Sequence, residues 1–387
     1  MILENLKKKF EAKFGIEPNR QFFTPGRINL IGEHIDYSGG HVFPCALTYG
    51  TYAQVRSRDD KMLRLYSENF PERGILEFSL DHLPFDEKDD WANYPKGVAK
   101  MLIDRGYDLN YGADIAFIGN IPNGAGLSSS ASLEVLTAII LDSLNNLNIE
   151  RLDLVKLSQK AENEYVGVKC GIMDQFAVGM GKKNQAILLN TNTLDYDYVP
   201  LEMEGYSIVI MNTNKRRGLN DSAYNERRSQ CEEALSILQT IKPMEYLCDY
   251  SMDDLVLNQS LFSELVFKRA RHAISENLRT MEAASVLKQH DLVSFGKLMN
   301  QSHISLRDDY NVTGMELDTV VELAWKQPKV LGARVTGAGF GGCALALVAD
   351  DAVSDFIENV GRDYHEKIGY EATFYVGSIG EGAHEIK

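Results

Sequence analysis

The sequence predicts a protein of mixed α-helix and β-strand, with a break in the chain near residue 200. Three observations predict it. Strand-length apolar runs between residues 22 and 118 alternate with Gly, Pro and Asp. A glycine-rich turn at 120–126 then runs into Ser128, Ser129, Ser130 and Ser132 at the head of an apolar helix. Beyond Ser207 long amphipathic helices dominate, with strand-like runs at 332–335 and 343–348.

The chain has 387 residues, 44% hydrophobic and 25% charged, enough for two or three soluble domains with a sizeable core. A net charge of -15 argues against a nucleic-acid surface, which needs clustered Lys and Arg, although a local basic pocket stays open. Five cysteines without a CxxC pair suit a reducing compartment, as small buried hydrophobes rather than disulfides or zinc ligands. The N-terminal stretch mixes acids and bases with apolar positions at helical spacing, and no run of about 18 apolar residues occurs, so the expected location is the cytoplasm.

Taken in order, an amphipathic helix reaches about Phe14, and residues 22–32 read as a strand broken by Pro25-Gly26. Glu33, His34 and Asp36 follow just past a glycine, where one short turn could aim them at a polyhydroxylated ligand. The alternative is a structural ion pair of Arg27 with Glu33 or Asp36. His34 and His41 lack metal spacing. Residues 42–56 and 62–77 read as strands, 91–105 as a helix, and 111–118 as the strand that delivers the chain to the turn.

That turn looks built to hold phosphate. Gly124 and Gly126 lack a Cβ and can present bare N–H groups, and a helix starting near Ser128 offers unpaired donors and a partial positive charge. Leu133, Leu136, Ile140 and Leu144 mark the core face of this helix. A Ser-capped core helix is the competing reading, although capping explains one hydroxyl rather than four. A second amphipathic helix carries Glu162, whose neighbour Glu164 points to plain solvent exposure. Asp174 sits in an apolar, glycine-bounded segment, as a helix-capping acid or a catalytic one. In the second half, helices are expected near 222–239, 263–288, 291–309, 315–326 and 352–367. The cluster 337–342 has GxGxxG spacing but an apolar strand on its far side. It therefore reads as a strand-to-strand turn, either approaching a ligand or simply a hairpin.

Residues 25–37, 122–132 and 335–342 together resemble the three motifs of the GHMP small-molecule kinases, and the first is close to the galactokinase signature. Residues 170–175 and 224–228 also look like galactokinase segments, so the resemblance spans nearly the whole chain in the right order. It implies an α+β fold of two domains, 1–200 and 201–387, with the active site in the cleft between them. It implies ATP-dependent phosphorylation of the C1 hydroxyl of α-D-galactose, the first committed step of the Leloir pathway. On the matching positions Asp174 is the proposed base and Arg27 its charge-stabilising neighbour. Glu33, His34, Asp36 and Tyr224 meet the sugar. Gly124, Ala125, Gly126, Leu127, Ser128, Ser129 and Ser130 hold the nucleotide, Ser67 touches it, and Ser130 and Glu162 ligate Mg2+. The expected partners are galactose and ATP, with no nucleic acid or membrane, for a monomer.

This chemistry is coherent, because phosphoryl transfer needs positioning and charge neutralisation more than covalent help. GxxxxGK[ST] and the HRD and DFG motifs are absent, which removes the two commoner ways of holding ATP. Two rivals remain at this level: a non-catalytic galactose and ATP sensor, and a kinase for N-acetylgalactosamine or another GHMP substrate.

Overall fold

The computed structural model describes residues 2–121, 126–215 and 220–387. The chain opens with α1 (Ile2–Phe14), then lays down β1 (Arg20–Asn29), β2 (His41–Val42), β3 (Pro44–Arg58), β4 (Met62–Ser67) and β5 (Leu76–Ser79). α2 (Asn93–Asp104) and β6 (Gly112–Gly119) lead to α3 (Ser129–Asn145), α4 (Arg151–Lys160) and α5 (Met173–Met180). β7 (Gln185–Asn190), β8 (Tyr196–Pro200) and β9 (Tyr206–Asn212) come next. They are followed by α6 (Asn220–Gln239), α7 (Met252–Leu257), α8 (Glu264–Lys288), α9 (Leu292–Ser305) and α10 (Gly314–Trp325). The chain closes with β10 (Val330–Thr336), β11 (Cys343–Ala349), α11 (Val353–Ile368), β12 (Thr373–Gly377) and β13 (His384–Ile386).

A six-stranded sheet in the order β13-β1-β3-β6-β4-β5 is antiparallel except where β4 lies beside β6. Strand alternation gives it two faces. Ala113, Ile115 and Phe117 of β6 join Val135, Leu136 and Ile140 of α3, whereas Ala116 packs with Leu6, Phe10 and Phe14 of α1. The second sheet, β10-β11-β9-β12, has the apolar β11 at its centre. Ala344, Ala346 and Val348 pack into one core cluster, and Cys343, Leu345 and Leu347 into another, as expected for a strand buried on both faces. Those clusters also take in Ile35 and Phe176, and Ile28 and Phe43, so residues from both sides of position 200 share them. Near that position the chain passes from the small sheet β2-β7-β8 to β9.

Local differences from the sequence reading concentrate where the site is built. β1 runs through Pro25-Gly26 instead of breaking, and a register shift against β3 between Pro25 and Arg27 absorbs the irregularity. A Cβ on Gly26 would lie 2.7 Å from the Leu127 carbonyl oxygen, so glycine is what lets this strand touch the turn before α3. The Arg27 amide then donates to that same carbonyl at 3.1 Å. The stretch expected as one strand over 62–77 is two, β4 and β5. After α4 the chain widens into a π-turn, Ala161–Val166, and after α9 into another, Leu306–Tyr310. α7, β12 and β13 lay outside the sequence reading. The glycines at 337–342 join β10 to antiparallel β11, the strand-to-strand turn expected.

Candidate functional site

Arg27 leaves the register shift of β1 only 4% exposed, and its guanidinium does not pair with Glu33 or Asp36. It grips Asp174 edge to edge instead: Nε donates to Oδ1 and Nη2 to Oδ2, each at 2.9 Å, while Nη1 donates to the Gly126 carbonyl at 2.8 Å. Asp174 lies in the first turn of α5 but makes no cap there, because its carboxylate faces Arg27 and Ser128. Ser128 likewise does not cap α3. It holds φ 63 and ψ 49, and its Oγ donates to Asp174 Oδ2 at 2.6 Å. β1, α3 and α5 thus converge on one carboxylate. Ser132 is structural, donating to the Thr24 carbonyl at 2.8 Å inside the core.

Around this centre lies a cavity of about 280 Å³, lined among others by Arg27, Glu33, His34, Asp36, Asp174 and Tyr224. Glu33 Oε1 accepts from the Gly337 amide at 2.6 Å, and Oε2 accepts from Arg334 Nη2 at 2.9 Å and from Asn29 Nδ2. Burial pushes its carboxyl up, and the Arg334 charge opposes that. Gly171 allows Asp36 its place, since a Cβ there would fall 1.8 Å from Asp36 Oδ2. Desolvation, with help from the Asp174 charge, pushes Asp36 up to about 6.

Hydrogen-bond polarity fixes the tautomer of His34. Nε2 lies 3.0 Å from the Ala338 carbonyl, which can only accept, so Nε2 carries the proton and Nδ1 accepts from Tyr37 Oη at 2.8 Å. Tyr37 Oη in turn lies 2.7 Å from Tyr310 Oη. Burial holds His34 down to about 3, which keeps the imidazole neutral. Both ring nitrogens have protein partners, so the ring joins the first motif to the turn after β10 and presents a face to the cavity. The Tyr224 ring stands 5.5 Å from it, and burial pushes the Tyr224 hydroxyl well up.

Glu162, expected in solvent, is 6% exposed, because it lies in a π-turn packed against α2 and α4. Its Oε2 accepts from Gln175 Nε2 at 2.6 Å, and Ser130 also hydrogen-bonds it. The other Gln175 proton goes to the fully buried Glu134 at 2.9 Å, while Glu134 Oε1 and Gln175 Oε1 have no partner among the described residues. Desolvation pushes both acids up, and each repels its acidic neighbours. No described group of three or more His, Cys, Asp and Glu could hold a metal by itself. Two oxygen donors beside stranded carboxylate charge do fit Mg2+, which takes few protein ligands and fills its octahedron with water and phosphate oxygens.

Ser129 is exposed, Gly126 supplies a carbonyl to Arg27, and Leu127 is a core residue whose carbonyl holds β1. Gly124 and Ala125 lie outside the described residues. Ser67, at the end of β4, accepts from the Asn69 amide at 3.3 Å and does not line the cavity. The sequence reading gave no role to Arg334, Gln175, Glu134, Tyr37 or Tyr310. Arg334, a charge inside an apolar run just before the glycine turn, carried the same signal as Arg27.

Three family models match this chain: the galactokinase galactose-binding signature over residues 8–57, the GHMP kinases N terminal domain over 93–182, and the GHMP kinases C terminal over 283–366. Galactokinase of Fusobacterium nucleatum is 55% identical over 390 residues, covering 100% of both chains. That of Clostridium beijerinckii is 56% identical over 382 residues, 98% of each chain. The crystal structure of Lactococcus lactis galactokinase complexed with galactose superposes with a TM-score of 0.97 at 51% identity, covering 100% of each chain. Methanococcus jannaschii mevalonate kinase shares the fold at 19% identity, with a TM-score of 0.64 over 93% of this chain and 98% of its own.

Proposed function

Because this chain belongs to the galactokinase family of GHMP kinases, we propose that it transfers the γ-phosphoryl group of ATP to the C1 hydroxyl of α-D-galactose. The products are α-D-galactose 1-phosphate and ADP, in the first committed step of the Leloir pathway. The observation that carries this reading is the cavity itself. Glu33, Asp36 and Asp174 offer acceptors beside Arg27, a lining that suits the hydroxyls of a neutral polyol.

In the reaction the sugar oxygen forms a bond to phosphorus, the bond to the β-phosphate oxygen breaks, and the hydroxyl proton leaves toward Asp174. Arg27, locked edge to edge on that carboxylate, shares the charge developing on the sugar oxygen. Glu33, His34, Asp36 and Tyr224 are assigned to the sugar, with His34 acting by its ring rather than by a free nitrogen. The backbone of the turn Gly124, Ala125, Gly126, Leu127, Ser128, Ser129 and Ser130 is assigned to the nucleotide, and Ser67 to its periphery. Ser130 and Glu162 would hold Mg2+, which neutralises phosphate charge when bound. Residues 1–200 and 201–387 form the two lobes of the proposed enzyme. No described helix is long and apolar enough to cross a membrane, and a cytoplasmic monomer is the proposed state.

Incubation with ATP, Mg2+ and a panel of hexoses tests this. ADP should appear in step with galactose 1-phosphate, and absence of turnover with every hexose would overturn the proposal. A preference for N-acetylgalactosamine would move it to a neighbouring activity. Asp174→Asn and Arg27→Ala should each lose about a hundredfold or more in kcat while still binding ATP.

A further inference from the structure

We infer that Ser128 is a positioning residue for Asp174, its hydroxyl serving the acid that faces the sugar rather than the nucleotide. This inference rests on the reading of Asp174 given above. A serine that starts a helix ordinarily turns its Oγ onto the first amides. Ser128 instead holds a left-handed backbone, φ 63, which serine seldom adopts, and makes no cap. The same backbone swings the side chain toward α5, where Oγ lies 2.6 Å from Asp174 Oδ2 at 7% exposure.

Geometry explains why a second anchor matters. Arg27 meets Asp174 along one edge, with Nη2 2.8 Å from Oδ1 and 2.9 Å from Oδ2, an arrangement in which carboxylate and guanidinium can rock together. Ser128 reaches Oδ2 from a separate helix, so strand, loop helix and acid-bearing helix all fix one plane. Oδ1 lies 2.9 Å from Arg27 Nε and 2.8 Å from Arg27 Nη2, whereas Oδ2 is held by Nη2 at 2.9 Å and by Ser128 Oγ at 2.6 Å, so Ser128 supplies the one contact of these that does not move with the guanidinium. The turn that should hold ATP and the acid that should meet galactose are joined through one hydroxyl.

Ser128→Gly tests this, because glycine accepts the left-handed backbone and removes only the hydroxymethyl group. With ATP, Mg2+ and galactose, kcat should fall at least about tenfold, the scale of one hydrogen bond to a charged group. KM for ATP should stay within about twofold, and the thermal midpoint should be no lower than that of the unaltered chain. A near-unaltered kcat would overturn the inference, as would an unchanged kcat with a raised KM for ATP, the mark of a nucleotide contact. Asp174→Asn is assayed alongside. If it turns over normally, the reading of Asp174 fails and this inference with it. If it is inactive while Ser128→Gly is unimpaired, this inference alone fails.

Discussion

Replacing Arg334 by methionine would strand a buried carboxylate. Arg334 is fully enclosed and donates to Glu33 Oε2 at 2.9 Å, to the Asn29 and Leu30 carbonyls at 3.1 Å, and to Ser302 Oγ at 3.2 Å. Glu33, 1% exposed, would keep the Gly337 amide and the Asn29 amide but lose its one directly bonded cation. Removing one partner of a buried pair costs about 3–5 kcal/mol, because the remaining charge stays desolvated. Arg334→Met should therefore lose about that much in equilibrium urea unfolding, followed in parallel by far-UV circular dichroism and tryptophan fluorescence to establish a single transition. Adding Glu33→Gln removes the stranded charge and should restore part of the loss, a coupling of about 0.5–3 kcal/mol. A loss below about 1 kcal/mol in the single variant, or a double variant no more stable than the single one, would refute the argument that Arg334 compensates Glu33.

Two further expectations concern pH. With Asp36 held up to about 6, its carboxylate becomes a pure acceptor only above that value, so KM for galactose should fall as pH rises through about 6. The step should vanish in Asp36→Asn, and a step that persisted there would assign it to another group. The folded value of Asp36 lies above its ordinary 3.8, so its contribution to stability is present at low pH and lost on rising through about 6. Burial acts the other way on His272, pushing it down from 6.5 to about 4, so its contribution is present above 6.5 and lost as pH falls toward 4. The unaltered chain should accordingly lose stability relative to His272→Gln between those values, by about 1.4 kcal/mol per pH unit. A constant gap across that window would show that His272 does not titrate differently on folding.

The sequence made the strand-turn-helix units legible because their apolar periods are long and their glycines sit at ends. It also made the motif residues legible as a set. What it hid was direction. Glu162 and Glu164 stand two positions apart, and on a helix such neighbours face nearly opposite ways, so one could be buried while the other remained exposed. The adjacent charge suggested solvent for both. Arg27 offered Glu33 and Asp36 as nearby partners, yet the partner chosen was 147 residues away, brought there by the packing of α5 against β1. Ser128 and Ser132 look alike in sequence. A left-handed backbone sends one to Asp174, and core packing sends the other to a strand carbonyl. Gln175 gave no signal, because an amide between two buried acids has the composition of any polar residue.

The pairing of β1 with β13 has a consequence for how this chain is made. Gln21 stands opposite Ile386, and Arg20 donates to Glu385 at 2.7 Å across 365 positions of sequence. β3 covers one edge of β1 soon after it leaves the ribosome, but the edge that β13 takes stays bare until β13 has been made. At roughly 5–20 residues per second, that is roughly 20–70 s with an open row of backbone donors and acceptors. Such a row is a template for pairing with any other extended chain. Ending translation at Ala383 would make that interval permanent, and the cost would surface as association between molecules.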